Sequence, residues 1–322
     1  MKFLLPVFLG WILLTPSLSA QELRILFDTD MDSDVDDVGA LAMLHTLADH
    51  ERLTLLGIIV TSDDPYAPAC TDALNHYFGR PEIPIGVEKG IPLNPISKYT
   101  RAISEEFPSR IKDYEDGEDA VWLYRKLLTE SPDTSVVIIT VGHLTNFASF
   151  LRSEPDSLSP LSGKELALQK VKVWSCMGGM YPSGKEANFY RPDPASTVYS
   201  VENWPGKVVF SGWELGNDII TGGRFLESYL DRSSPVWRAY QLYNGFAGRQ
   251  SWDQTSILYA VSADKAYWDL VTGGRCVVAA DGSNHWDTQG TSSHAYLVPK
   301  TAPGEVAKII DALMVGIYRD EF

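Results

Sequence analysis

The sequence predicts an α/β protein with a Rossmann-like, open, mostly parallel central sheet flanked by helices. Three observations lead there. Short apolar runs of strand length alternate with helix-like segments along the chain. Several of those runs read as buried strands ending at an acidic or glycine-containing turn. The unusual residues gather at the carboxyl ends of these strands, where open parallel sheets bind ligands.

Arg24 to Asp28 reads as a buried strand ending at an acidic turn, and Val38 to Ala48 then has helical periodicity. Leu53 to Thr61 is a long apolar run, again a strand. Ala69 to Phe78 is helix-like, and Ile83 to Val87 is a short strand. The polar stretch from Ile91 to Gly117 holds Pro92, Pro95 and Pro108 and reads as a long loop or lid. Ala120 to Leu128 is helical, Ser135 to Val141 is β-rich, and Thr145 to Leu151 is helical. Val171 to Cys176 and Lys207 to Gly212 are strands, Trp252-Asp253 opens a helix, and Glu305 to Tyr318 is amphipathic. No repeat, low-complexity tract or linker divides the chain, so residues 21–322 read as one domain.

The leader is read apart from the fold. Lys2, an apolar run to Leu14 and a small-residue end at Ala20 make residues 1–20 a secretory signal peptide. The apolar run is short for a membrane span, so the mature chain is expected to be exported, periplasmic or secreted, with no stable anchor. The composition, 44% hydrophobic and 21% charged, excludes a disordered chain or a disulfide scaffold. The net charge of −15 argues against nucleic-acid binding, because such a surface repels phosphate. Cys70, Cys176 and Cys276 lie far apart without a CxxC pair, which removes zinc-finger and thioredoxin readings. Their pairing stays open.

Six aspartates fall within residues 28–37: Asp28, Asp30, Asp32, Asp34, Asp36 and Asp37. So much charge at a strand end calls for a cation, and oxygen ligands favour a hard one such as Ca²⁺ or Mg²⁺. An EF-hand loop fails, because Ser33 stands where Gly is needed and Gly39 where Glu is needed. A phosphatase with Asp28 as nucleophile and Asp30 as acid lacks an obvious downstream lysine and second acidic pair.

The remaining pattern, Asp28-Thr29-Asp30 followed by Asp36-Asp37 opening a helix, resembles the nucleoside hydrolases of the inosine–uridine-preferring superfamily. Further elements follow in that family's order. They are Val141-Gly142-His143-Leu144-Thr145-Asn146, Met177-Gly178-Gly179, Glu186-Ala187-Asn188-Phe189, Asp193-Pro194-Ala195 and Trp252-Asp253. The resemblance implies a Ca²⁺ held by Asp30, Asp37, the Val141 carbonyl and Asp253, all hard oxygen donors. It also implies that Asp30 is the general base toward water. Asp36, Glu186 and Asn188 would hold ribose hydroxyls, and Met177 would pack beside the sugar.

The chain departs from the family pattern in several places. Met31-Asp32 replaces Pro-Gly, and the acidic loop is two residues longer. Ser62-Asp63-Asp64 replaces the usual Gly-Asn. A carboxylate at Asp63 only accepts hydrogen bonds, so it alters the sugar or hydroxyl pattern that fits. The connection Tyr181 to Lys185 is short and lacks a clear ribose-binding Asn. Trp252 stands where many members have a histidine that protonates the leaving base; it stacks on an aromatic group but donates no such proton. His143, beside the Val141 carbonyl, is a candidate to line the site. Gly142 and Gly178-Gly179 read as turn formers.

The expected function is Ca²⁺-dependent hydrolysis of the N-glycosidic bond of a small-molecule nucleoside or riboside. The alternative is an exported nucleoside- or sugar-binding protein of the same fold with little or no hydrolysis. Homo-oligomers are expected by the same resemblance.

Overall fold

A computed structural model describes residues 23–262 and 267–319; the leader expected over residues 1–20 lies outside them. Nine strands form the central sheet: β1 (Leu23–Thr29), β2 (Leu53–Val60), β3 (Ile85–Val87), β4 (Glu118–Asp119), β5 (Val136–Thr140), β6 (Val171–Met177), β7 (Val208–Ser211), β8 (Trp268–Val271) and β9 (His294–Pro299). Their order is β8-β9-β7-β6-β5-β1-β2-β3-β4. Every neighbouring pair is parallel except β8 with β9.

The alternation within β1 explains the layers. Ile25 and Phe27 enter one apolar core, and Leu26 enters the other. Side chains of successive strand residues point to opposite faces, so a strand covered on both sides needs apolar residues at both parities. The first core packs helices α1 (Asp36–Asp49), α2 (Ala67–Tyr77), α5 (Trp252–Val261) and α6 (Pro303–Met314) on one face. The second packs α3 (Ala120–Thr129) and α4 (Thr145–Arg152) on the other, with Trp174, Phe147 and Phe210 at its centre. Cys70, Cys176 and Cys276 are buried in these cores as free thiols.

Chain direction across the sheet reverses beside β1. From β1 the chain runs outward through β2, β3 and β4, and then returns to β5 on the other side of β1. Such a switch point leaves a crevice at the carboxyl ends of the two strands, because their connections leave in opposite directions. Asp30 follows β1 there, and Val141 and Gly142 follow β5. The Val141 N–H donates to the Asp28 carbonyl at 2.8 Å, which ties the two strand ends together.

The stretch from Ile91 to Gly117 carries more structure than a free lid. It contains a helix at Thr100–Glu106 and a short 3₁₀ turn at Tyr114–Asp116. Asp64 fastens its middle: its carboxylate accepts from the N–H groups of Ile96 and Ser97, both at 3.1 Å, and from Thr100 Oγ1. Among the described residues no helix is long and apolar enough to cross a membrane.

Candidate active site

The acidic loop enters the crevice from β1 and leaves it as α1. Asp28 itself is turned into the core, where Thr61 Oγ1 and Tyr124 OH donate to its two oxygens at 2.6 and 2.5 Å. Burial lifts its carboxyl to about 7. Asp28 is absent from the cavity lining, so it braces the strand end and is not placed as a nucleophile. Met31, where the resemblance has Pro, adopts φ +43°. That left-handed conformation is costly for a side chain other than Gly and is retained where surrounding structure enforces it. Here the Met31 N–H donates to Asp37 Oδ1 at 3.1 Å, and Thr29 Oγ1 donates to the same oxygen.

Asp30, Asp36, Val141, Met177, Glu186, Asn188, Trp252 and Asp253 line one cavity of about 180 Å³. Asp37 is buried and is not among the residues that line it. Asp63 lines an adjoining cavity together with His143. The sequence-expected site residues therefore gather at one crevice, with Asp63 set to one side.

Helix α5 is docked on the acidic cluster by its N-terminus. The N–H groups of Trp252 and Asp253 donate to Asp36 Oδ2 at 3.2 and 3.4 Å, and Gln254 Nε2 donates to the Asp36 carbonyl. A carboxylate is stabilised at a helix N-terminus, and this one aims Asp253 into the cavity. Asp36 Oδ1 is buried with no hydrogen-bond partner. Burial pushes the carboxyls of Asp30, Asp36 and Asp253 well above the usual range, and neighbouring aspartates push the same way. Burial also lifts Asp32 and Asp37 to about 7.

These residues fit a hard divalent cation. An orphaned buried carboxylate oxygen and a crowd of carboxyls with raised pKa are what a cation's charge relieves. One oxygen from each of Asp34, Asp36 and Asp37 lies within 4.8 Å of the others. Only Asp37 of that trio belongs to the ligand set implied by the resemblance, so the longer loop brings Asp34 to the cluster. The Val141 carbonyl accepts from Asn188 Nδ2 at 2.8 Å and keeps a second lone pair.

Glu186 is buried. Its two oxygens accept from the N–H groups of Asn188 at 2.8 Å and Gly179 at 3.0 Å, so it orders the turn that carries Asn188. Burial lifts its carboxyl to about 7.

Sequence reasoning missed Trp213 and Arg249. The Trp213 and Trp252 rings stack with centroids 6.4 Å apart, and Trp252 Nε1 donates to the Trp213 carbonyl at 2.9 Å. The Arg249 guanidinium lies 4.7 Å from the Trp252 ring and pairs with Asp34 at 2.5 Å. A lone arginine ahead of Trp252-Asp253 gives no sequence signal, and only the fold brings it to the acidic loop. Gly142 and Gly178 have ordinary φ angles; of the three turn glycines only Gly179 is left-handed, at +78°. Gly142 is needed for space, because a Cβ there would lie 2.7 Å from the Asp30 nitrogen.

The comparisons agree with this architecture. The plant nucleoside hydrolase PpNRh1 superposes with a TM-score of 0.68 at 17% identity, covering 91% of this chain and 99% of that one. The inosine-uridine preferring nucleoside hydrolase from Bacillus anthracis superposes with a TM-score of 0.68 at 15% identity, covering 92% of this chain and 100% of that one. The type III effector protein XopQ, solved with adenosine diphosphate ribose, gives 0.65 at 14% identity, covering 92% and 93%. At such identities the likeness shows the shared fold. No curated protein matches the chain. Residues 25–311 match the family described as inosine-uridine preferring nucleoside hydrolase, and the chain belongs to that family.

Proposed function

We propose that the protein hydrolyses the N-glycosidic bond of a riboside with the help of a bound Ca²⁺. The observation that carries the reading is a cavity in which Asp30 and Asp253 face an aromatic pair, Trp213 and Trp252. Asp30, Asp37, Asp253 and the Val141 carbonyl would hold the cation, with Asp34 and Asp36 beside them. When bound, it supplies charge neutralisation and Lewis acidity.

The protein groups do the rest. Asp30 takes a proton from the attacking water as its oxygen bonds to the anomeric carbon. The bond to the leaving nitrogen breaks, and positive charge develops on the ribosyl ring. The surrounding carboxylates stabilise that charge electrostatically. Trp213 and Trp252 stack on an aromatic leaving group. Among the described residues no histidine lines this cavity, and in this reading the leaving group takes its proton from solvent. Export rests on the leader alone.

The test is release of reducing sugar from inosine, uridine, adenosine and a nitrophenyl riboside, with and without chelator. Chelator-sensitive release from any of them supports the hydrolase. Binding of nucleosides without turnover would instead establish the alternative, a binding protein of the same fold, which Trp252 in place of a proton donor favours.

A further inference from the structure

The crevice has two arms. The cavity containing Trp213 and Trp252 meets a second, of about 280 Å³, at Asp30, Ser33, Asn188 and Arg191. Building on the proposed hydrolase, we infer that the second arm binds an uncharged, hydroxyl-rich group carried on the 5′ carbon of the riboside, such as a second sugar.

The topology of the substrate leads to this assignment. A ribose seated at Asp30 with its leaving group in the aromatic arm and its ring hydroxyls toward Asp36 and Asp253 would turn its 5′ carbon toward the second arm.

The arm is built and held open. Asp64 staples the wall segment at Ile96 and Ser97, and the Asn94 N–H donates to the Asp63 carbonyl at 2.8 Å. Next to it Ser62 Oγ donates to Asp32 Oδ2 at 2.5 Å. The departure Ser62-Asp63-Asp64 therefore makes this wall.

The chemistry of the lining selects the ligand. Asp63 is half-buried, and its carboxylate receives no hydrogen bond from a described residue. It accepts only. His143 adds a further polar group. Its Nδ1 lies 2.9 Å from Thr145 Oγ1, which gives its own proton to Asp193. Thr145 must then accept from Nδ1–H, which leaves Nε2 as the ring's other polar atom. Among the described residues lining the arm, Arg191 stands beside the acceptors Asp32 and Asp63. Such acceptors fit hydroxyl donors, and the unpartnered Asp63 carboxylate disfavours a phosphate, which brings acceptors and negative charge.

Three ligands test this: inosine, inosine glucosylated on its 5′ oxygen, and inosine 5′-monophosphate. Sugar release gives kcat/KM for each. Isothermal titration calorimetry gives affinities, so the comparison stands even without turnover. The glucosylated ligand is expected to exceed inosine by about tenfold and the monophosphate to fall about tenfold below it, the scale of one or two hydrogen bonds. Asp63→Leu, and separately Asn94→Leu, should bring the glucosyl-to-inosine ratio to about one. A glucosylated ligand no better than inosine, or a monophosphate as good as inosine, overturns the second arm's role and leaves the hydrolase intact. If inosine binds but no ligand is cut, the hydrolase reading fails and the affinities alone decide the arm. If none binds, both fail.

Discussion

Gly142→Ala is a test of whether the approach of β5 to the acidic loop positions the reacting groups. A Cβ at residue 142 would lie 2.7 Å from Asp30 N, 2.9 Å from Asp30 Cβ and 3.1 Å from Asp30 Cγ. Ordinary contact begins at about 3.5 Å, so the methyl lacks roughly 0.8 Å. The backbone at 142 is not left-handed, so alanine meets no conformational penalty and the effect is steric. The nearest obstacle, Asp30 N, is main chain, and the segment is fastened on both sides. Val141 N–H holds the Asp28 carbonyl, and Met31 N–H holds Asp37. Overpacking of this kind costs about 1–3 kcal/mol, a fall of a few degrees in Tm.

The loss of activity should be larger than the loss of stability suggests. A displacement near 1 Å at a reacting group costs about 100-fold in rate. The expected result is a kcat on nitrophenyl riboside lower by about 100-fold, with Ca²⁺ affinity about tenfold weaker because the proposed reading gives Asp30 both roles. Gly304→Ala is the control, since nothing lies within 4 Å of the added Cβ. Sugar-release kinetics, calorimetric titration with Ca²⁺ and thermal melts report the three quantities. A Gly142→Ala protein with kcat within threefold of the parent and unchanged Ca²⁺ affinity would refute the geometric argument.

Three further outcomes are expected. Asp30→Ala and Asp253→Ala should each lose stoichiometric Ca²⁺ while keeping their far-ultraviolet circular dichroism; retention of metal by both would refute the ligand assignment. Trp252→His should raise turnover of inosine relative to nitrophenyl riboside, which needs no acid; an unchanged or falling ratio counts against the missing proton donor. Asp32 and Asp37 are lifted from 3.8 to about 7 in the folded chain. The folded state then binds more protons than the unfolded one between those values, so these groups withdraw stability as pH rises from about 4 to 7. Bound Ca²⁺ offsets that loss, and the Tm gained on adding Ca²⁺ to chelated protein should be larger at pH 7.5 than at pH 5. The buried histidines contribute with and without Ca²⁺ and cancel in that difference. An equal or larger gain at pH 5 would contradict the coupling.

What was legible in the sequence follows the strength of each local signal. β1, β2, β5 and β6 are buried on both faces, so their apolar runs stand out. The helix opened by Trp252-Asp253 was legible from its motif position. The helix at Thr100–Glu106 was not, because only Thr100 and Ile103 of its seven residues are buried. β8 was missed because it is an edge strand with Asp269 and Leu270 exposed, and its apolar pattern is weak. The acidic cluster identified the crevice, since so much charge on one loop is expensive without a cation. Trp213 and Arg249 could not be found that way: their positions depend on tertiary contacts between segments distant in sequence. Gly142 was misjudged for a related reason. A glycine required for space and one required for left-handed backbone look alike in one dimension.

The longer acidic loop is better understood as a partition than as an irregularity of the metal site. Asp32 is tied to Ser62 beside β2, and Asp34 is tied to Arg249 on the opposite wall at 2.5 Å. Tyr99 OH holds the Asp34 carbonyl at 2.7 Å. Between these anchors Ser33 is exposed and lines both cavities. A loop fastened at two aspartates has little freedom to swing, so it separates the aromatic arm from the acceptor-rich arm. The same anchoring sets the electrostatics. Arg249 keeps its charge near neutral pH, so it balances Asp34 without acting as a proton donor. Its guanidinium lies 4.7 Å from the Trp252 ring centroid, and among the described residues the aromatic arm is lined by two tryptophans and a fixed cation but by no histidine. If the chain hydrolyses ribosides as proposed, those whose aromatic leaving groups depart readily without a proton should turn over fastest.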